Sequence, residues 1–178
     1  KKILFFHSKK ERWYVARDPL HAQGVPDLID GADNSGTGPA MTFARCLAEK
    51  DPQRKVGLIP TAVGGAPIDG YGPLGALYTR SLLLTRNAVE RAGIETKLRA
   101  ILWLQGESDA TEERYGSYEA NLLDFVDRCR ADLRNPELPF IACTIGSFVQ
   151  KGDFQYGKEI NDVLLSLPQK REHTACVD

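Results

Sequence analysis

Short apolar runs alternate along this chain with longer stretches in which apolar residues recur at the three-to-four spacing of an α-helix. The predicted strands are 3–6, 55–63, 100–104, 140–145 and 175–177, and the predicted helices are 40–48, 75–92, 118–133 and 160–167. Strict alternation of strand and helix is typical of right-handed crossover connections in a sheet that is mostly parallel and covered by helices on both faces. The pattern therefore predicts an α/β fold.

Several residues mark the expected ends of these helices. Gly93 is expected to end the second helix, Ser117 to cap the start of the third, and Pro168 to stop the fourth. Residues 8–38 show little periodicity and are rich in Pro, Gly, Asp and Asn, so they are predicted to form a long loop containing at most one short helix. A loop of this length inside a compact domain usually has a functional role.

The third predicted strand runs directly into a cluster of polar residues. An amide, a carboxylate, a hydroxyl and a second carboxylate follow Trp103-Leu104 within five positions, at Gln105, Glu107, Ser108 and Asp109. Ligands of open α/β sheets bind outside the carboxyl ends of the strands, which is where this cluster should lie. A turn without function fits this segment alone equally well, because polar residues commonly follow strands.

A second strand end supports the functional interpretation. Gly64 and Gly65 follow the strand predicted over 55–63, and adjacent glycines allow backbone N–H groups to approach a ligand closely, as in an oxyanion hole. In a parallel sheet this loop and Gln105–Asp109 should face each other across a cleft. The loop has no Gly-Lys-Ser/Thr ending, which excludes a P-loop, and Met41 stands where a dinucleotide-binding fingerprint needs its third glycine.

Composition excludes several other classes of protein. The chain has 178 residues, a net charge of -1 and 42% hydrophobic residues, which fits one globular domain without the basic surface that nucleic acid requires. No apolar run approaches the roughly 20 residues of a membrane helix. The four cysteines are widely spaced and are expected to be small buried hydrophobic residues, two on helices (Cys46 and Cys129) and two in strands (Cys143 and Cys176). The compartment is not readable from the sequence.

The residues alone do not supply a nucleophile and a base for acyl transfer. Ser8 follows the first strand but adjoins a charged turn, and Ser108 is expected to form local hydrogen bonds. His173 should lie at the opposite edge of the sheet. His21, in the long loop, could reach the cleft, although a histidine that packs within the loop is the more common case.

Several motifs occur together in an order typical of one known family. They include Arg12-Trp13, Asp18-Pro19-Leu20-His21, Gly36-Thr37-Gly38-Pro39, Ala62-Val63-Gly64-Gly65 and Trp103-Leu104-Gln105-Gly106-Glu107-Ser108-Asp109. With these motifs the chain resembles the sialate O-acetylesterase domain. This is a branch of the SGNH hydrolases that includes acetyl xylan esterases of carbohydrate esterase family 6 and their plant relatives. The resemblance implies a flavodoxin-like three-layer α/β/α fold and the removal of acetyl groups from sugar hydroxyls.

The resemblance also assigns roles to residues. It implies that Gly64 or Gly65 supplies an oxyanion N–H and that Gln105 lies where related enzymes place an oxyanion asparagine. For Glu107 it leaves two roles open, one in the catalytic triad and one in support of the loop. Four further residues are expected to contact the substrate: Gly106, Ser108, Asp109 and His21.

Two motifs of the family are missing from their expected places in residues 1–178. The family's nucleophilic serine lies in a Gly-Gln-Ser-Asn motif, which does not occur here, and its histidine lies in an Asp-x-x-His motif near the C-terminus, where this chain has none. We therefore expect one SGNH-hydrolase-like domain over 1–178, truncated at both ends and inactive as a separate piece.

Three functions remain open on the sequence. The first is a serine-dependent carbohydrate O-acetylesterase that acts on acetylated sugars without a metal or organic cofactor. The second is a non-catalytic carbohydrate-binding module or pseudoenzyme, which fits a chain that carries neither nucleophile nor base. The third is an esterase for lipids or short acyl esters on the same fold.

Overall fold

The structure is a computed structural model that describes residues 2–20, 37–147 and 154–178. Its strands are β1 (Ile3–His7), β2 (Arg12–Val15), β3 (Val56–Leu58), β4 (Ile101–Trp103), β5 (Phe140–Cys143) and β6 (Thr174–Val177). Its helices are α1 (Ala40–Lys50), α2 (Ala76–Ala92), α3 (Tyr115–Asp132) and α4 (Gly157–Lys170), with two short 3-10 turns at Ile68–Tyr71 and Glu107–Asp109. Within these described ranges, three strand pairs are parallel and one is antiparallel. The predicted α/β fold is confirmed.

The first of two compact units comprises Lys1–Gly64 and Leu83–Lys97. Its sheet has the order β2-β1-β3, in which β1 is parallel to β3 and antiparallel to β2. Helix α1 packs against both β1 and β3. One buried cluster contains Phe5, Leu20 and Met41, and a second contains Phe6, Leu84 and Ala88.

Strand β2 lies where the sequence predicted a long loop. Its residues are mostly solvent-exposed, so they lack the apolar alternation by which a half-buried strand is recognised. The Trp13 indole is the exception, because its ring packs edge-on against Phe6 and its Nε1 donates to the carbonyl of Ala88 at 3.2 Å. Pairing with β1, rather than the local pattern, makes this segment a strand.

The second unit comprises Gly65–Leu82 and Leu98–Asp178 and contains the candidate site. Its strands form a parallel sheet in the order β4-β5-β6, and helices α3 and α4 pack against each other, with α4 also against β6. Trp103, Phe125 and Phe140 form an aromatic core in which the rings of Trp103 and Phe125 lie 4.7 Å apart. This core fixes the end of β4, from which the polar cluster follows.

Some predicted element ends were wrong. The strand predicted over 55–63 is limited to Val56–Leu58, and Pro60, which has no N–H for a sheet ladder, follows soon after it. Ser117 lies inside α3, where its hydroxyl donates to the Arg114 carbonyl at 3.0 Å. Pro168 lies inside α4, whose last turn continues through the hydrogen bond from Arg171 N–H to the Leu167 carbonyl.

The predictions for Gly93 and for the four cysteines were confirmed in part. Gly93 follows α2 with a φ of 94°, as predicted for a residue that ends a helix. Cys129 is buried, as predicted, but Cys46 is exposed because it lies on the outer face of α1. Cys143 and Cys176 lie in strands and are partly buried. Among the described residues, no helix is both long and apolar enough to cross a bilayer.

Candidate functional site

Two segments of the second unit meet as the sequence predicted. We call residues 65–67 the glycine bend and residues 105–109 the polar turn. The hydroxyl of Ser108 donates to the Gly65 carbonyl at 2.8 Å, and Nε2 of Gln105 donates to the Ala66 carbonyl at 3.1 Å. The loops that follow β3 and β4 therefore lie against each other, although they are far apart in the sequence.

Gly65 adopts a backbone conformation that favours glycine. Its φ of 71° lies in the left-handed region, which glycine adopts without strain. The residue is exposed, and a Cβ placed on it would meet nothing within 4 Å. Its N–H has no acceptor among the residues that the structure describes. The bend thus carries, on an exposed residue, a backbone donor without an acceptor in the described part of the chain. Gly64 is also exposed and has open space at its Cβ position, so the choice between the two glycines stays a prediction.

Both hydrogens of the Gln105 side-chain amide are engaged in hydrogen bonds. Nε2 donates to the Ala66 carbonyl and to Oδ2 of Asp109, the latter at 2.5 Å. The orientation of the amide follows from these contacts, because the reverse orientation would place Oε1 against two acceptors. Oε1 is buried and has no hydrogen-bond partner in the described part of the chain. That Gln105 donates to an oxyanion therefore stays a prediction, and in this structure both of its hydrogens are engaged elsewhere.

The backbone of the polar turn is fixed by packing and by a buried tyrosine. The Tyr118 hydroxyl donates to the Gln105 carbonyl at 2.8 Å and accepts from Nε1 of Trp103 at 3.3 Å. Burial raises the pKa of Tyr118, so this hydroxyl keeps its proton. Gly106 is buried at a φ of 153°, and a Cβ there would lie 2.5 Å from Cγ2 of Ile160. Gly106 therefore allows close packing against Ile160, and the substrate contact expected of it stays a prediction.

Asp109 also faces the interior rather than the solvent. It is 1% exposed and is the one buried charged side chain among the described residues. Its Oδ2 accepts hydrogen bonds from the Ile68 N–H at 2.8 Å and from Gln105. Burial, as the largest effect, raises the pKa of Asp109. In this structure Asp109 joins the polar turn to the chain after the bend, and the substrate contact expected of it stays a prediction.

Glu107 differs from Asp109 in its surroundings. It is partly buried, and its carboxylate forms no hydrogen bond or ion pair with any described residue. A carboxylate at the polar turn with no partner in the described ranges could orient a histidine, which is one of the two roles expected of it. Its role, like the substrate contact expected of Ser108, stays a prediction. His21 lies outside the described residues.

Two groups of the site were not foreseen from the sequence. Tyr118 was assigned only to the apolar face of a helix, and the Ile68 N–H was not considered. An apolar helical position gives no sign that a hydroxyl there will meet a carbonyl, so no local signal identified either group. Among the described residues, no cluster of three or more His, Cys, Asp or Glu side chains could hold a metal ion.

Comparison with known proteins gives the site a family context. A family model for carbohydrate esterases described as sialic acid-specific acetylesterases matches residues 1–178. A probable carbohydrate esterase of Arabidopsis thaliana is 31% identical over 163 residues, covering 86% of this chain. The chain spans 58% of the length of that curated relative. An X-ray structure of an Arabidopsis thaliana protein, also 31% identical, covers 99% of this chain and 68% of its own, with a TM-score of 0.84.

More distant solved structures share the fold. NanS is 16% identical with a TM-score of 0.68, and the alignment covers 99% of this chain and 68% of NanS. XAC1771 of Xanthomonas citri, described as a novel carbohydrate acetylesterase, is 18% identical with a TM-score of 0.65, over 99% of this chain and 42% of that one. The family model, which matches the whole sequence, and the plant relative support the resemblance drawn from the sequence. The chain belongs to the family of carbohydrate esterases known as sialic acid-specific acetylesterases.

Proposed function

We propose that the protein containing this chain is a carbohydrate O-acetylesterase that uses a serine nucleophile. The observation that carries the proposal is the N–H of the exposed residue Gly65, which has no acceptor among the described residues and is held beside the polar turn in a chain of this family. A backbone donor that is not engaged by a neighbouring acceptor is suited to a developing oxyanion. Family membership favours an esterase over a non-catalytic binding module.

The proposed reaction forms and then hydrolyses an acetyl-serine. The serine, carried outside residues 1–178, attacks the acetyl carbonyl carbon while a histidine takes its proton. The carbonyl electron pair moves onto oxygen, and the Gly65 N–H donates to that oxygen. The sugar oxygen leaves with the proton from histidine, and water then attacks the acetyl-serine, which releases acetate and restores the serine.

The substitution Gln105→Ala in the full-length protein tests the role of the polar turn. Removal of the side chain frees the Ala66 carbonyl and Asp109 from their shared donor, so we expect acetyl release to fall at least about tenfold. The circular dichroism spectrum should be unchanged. Gln169→Ala, on the exposed surface of α4, is the matched control and should behave as wild type.

Two outcomes of these assays would contradict the proposal at different levels. Unchanged turnover of nitrophenyl acetate by Gln105→Ala would exclude a role for Gln105. Failure of the wild-type protein to release acetate from any acetylated sugar would exclude the function itself. A panel of acetylated xylan, acetylated sialic acid and short acyl esters separates a sugar esterase from a general acyl or lipid esterase.

A further inference from the structure

The buried carboxylate of Asp109 links two segments of the site through one oxygen atom. The Ile68 N–H and Nε2 of Gln105 both donate to Oδ2, at 2.8 and 2.5 Å. Ile68 follows the glycine bend, and Gln105 begins the polar turn. Ile68 and Asp109 are 41 positions apart in the sequence, so the contact joins loops that follow different strands.

Placing a carboxylate in this position is unfavourable unless its hydrogen bonds compensate for the loss of water. Asp109 is 1% exposed, so solvent does not supply these bonds. The nearby Asp69 opposes its charge, whereas Arg114 favours it. A buried acid of this kind needs a reason beyond packing, because apolar side chains fill interiors without this cost.

The geometry of the glycine bend supplies such a reason. The Ser108 hydroxyl holds the Gly65 carbonyl, Gln105 holds the Ala66 carbonyl and Asp109 holds the Ile68 N–H. Three successive contacts therefore hold the backbone from the Gly65 carbonyl to the Ile68 N–H, and so restrict the orientation of Gly65 at the start of the bend. Asp109 takes part in two of them, one directly and one through Gln105.

We propose that Asp109 is a positioning residue that sets the direction of the Gly65 N–H and holds the Gln105 amide with its hydrogens turned inward. This inference rests on the proposed esterase function. It assigns the oxyanion donor to the backbone of the bend and leaves Oε1 of Gln105, which is buried and unpartnered in the described part of the chain, as a hydrogen-bond acceptor.

Three substitutions separate the shape of the Asp109 side chain from its charge. Asp109→Asn removes the charge but can place its carbonyl oxygen where Oδ2 accepts both bonds. Asp109→Glu keeps the charge but moves the oxygens by one methylene. Asp109→Ala removes the acceptors altogether. Asp162→Asn, which changes an exposed acid that pairs with Lys158, is the matched control.

The kinetic test uses the full-length protein and an acetylated sugar. Misplacing a catalytic group by about 1 Å costs up to about 100-fold in rate, so we expect Asp109→Ala and Asp109→Glu to lower kcat about 10- to 100-fold. We expect KM to change less than about threefold, because the ground-state contacts of the sugar are not altered. Asp109→Asn should recover most of the kcat that Asp109→Ala loses. Wild-type kcat in a folded Asp109→Ala, or a kcat in Asp109→Asn as low as in Asp109→Ala, would overturn the proposal.

A second measurement does not depend on activity. Hydrogen exchange at the Ile68 amide should be slow in the wild type and in Asp109→Asn and faster in Asp109→Glu. Equal exchange in all three would overturn the proposed contact, even where Asp109→Ala fails to fold. An inactive wild-type protein with the expected exchange pattern would instead contradict the esterase function and leave the contact standing.

Discussion

Gly106 is the position at which the smallest chemical change should disturb the candidate site most. It lies between Gln105 and Glu107, is buried, and has a φ of 153°. A Cβ on this residue would lie 2.5 Å from Cγ2 of Ile160 and 3.2 Å from Cγ2 of Ile145. Cβ atoms essentially never come within 3.0 Å of heavy atoms of residues that are not their chain neighbours, so the Ile160 side chain, α4 or the polar turn must shift in Gly106→Ala.

The expected magnitude follows from two separate costs. Overpacking a filled core by a methyl group costs about 1–3 kcal/mol. A non-glycine residue held in an unfavourable backbone region costs about 1–3 kcal/mol more. The free energy of unfolding of Gly106→Ala should therefore fall by about 2–6 kcal/mol.

The assay is urea unfolding of the variant and wild type, followed by tryptophan fluorescence. Gly116→Ala is the matched control, because Gly116 lies in α3 and a Cβ there meets nothing within 4 Å. This control should gain up to about 1 kcal/mol, since alanine is the better helix former. A loss below about 1 kcal/mol in Gly106→Ala would refute the argument from crowding and backbone geometry.

Two further predictions concern the buried polar groups beneath the site. Tyr118→Phe removes the hydroxyl that donates to the Gln105 carbonyl and accepts from the Trp103 indole, so the free energy of unfolding should fall by about 1–3 kcal/mol. Urea denaturation measures this change, and an unchanged free energy of unfolding would contradict the prediction. For the pH dependence of stability, burial and Asp69 raise the pKa of Asp109 above its usual 3.8, while hydrogen bonds from Gln105 and Ile68 and the charge of Arg114 oppose the shift. The folded state therefore binds a proton at Asp109 more readily than the unfolded chain does. As the pH rises from about 3.8 through the native pKa of Asp109, the contribution of this group to the free energy of unfolding falls. The free energy of unfolding of wild type minus that of Asp109→Asn should fall as the pH rises through this window, and a constant difference would contradict the burial argument.

Much of the fold could be predicted from local patterns. The apolar periodicity of α2 and α3 and the short apolar run of β4 predicted elements that the structure confirms within a few residues. Polar residues after β4 and glycines after β3 also placed two loops at one site. Hydrogen bonds between the two loops confirm their contact, but β3 and β4 lie in different three-stranded sheets, so one shared sheet edge is not its cause.

The sequence failed where a residue's environment depended on a partner far along the chain. Strand β2 is set by its pairing with β1, and its exposed residues carry no periodic signal. Pro168 lies inside α4 although proline usually ends a helix. The helix extends past it because the Arg171 N–H donates to the Leu167 carbonyl in the last turn. Local propensity is a weak guide once tertiary contacts decide the outcome.

The sequence indicated which residues belong to the site, whereas the tertiary structure decided how they are hydrogen-bonded to one another. Residue types and their order were enough to indicate the family and the two loops, because motifs and the polar or glycine residues that follow a strand can be recognised from local sequence. Only the folded chain turned Asp109 inward, engaged both hydrogens of Gln105 and set the Tyr118 hydroxyl against a carbonyl. A polar side chain takes its role from the donor or acceptor that it meets, and that partner is chosen by packing between distant segments rather than by neighbours in the sequence.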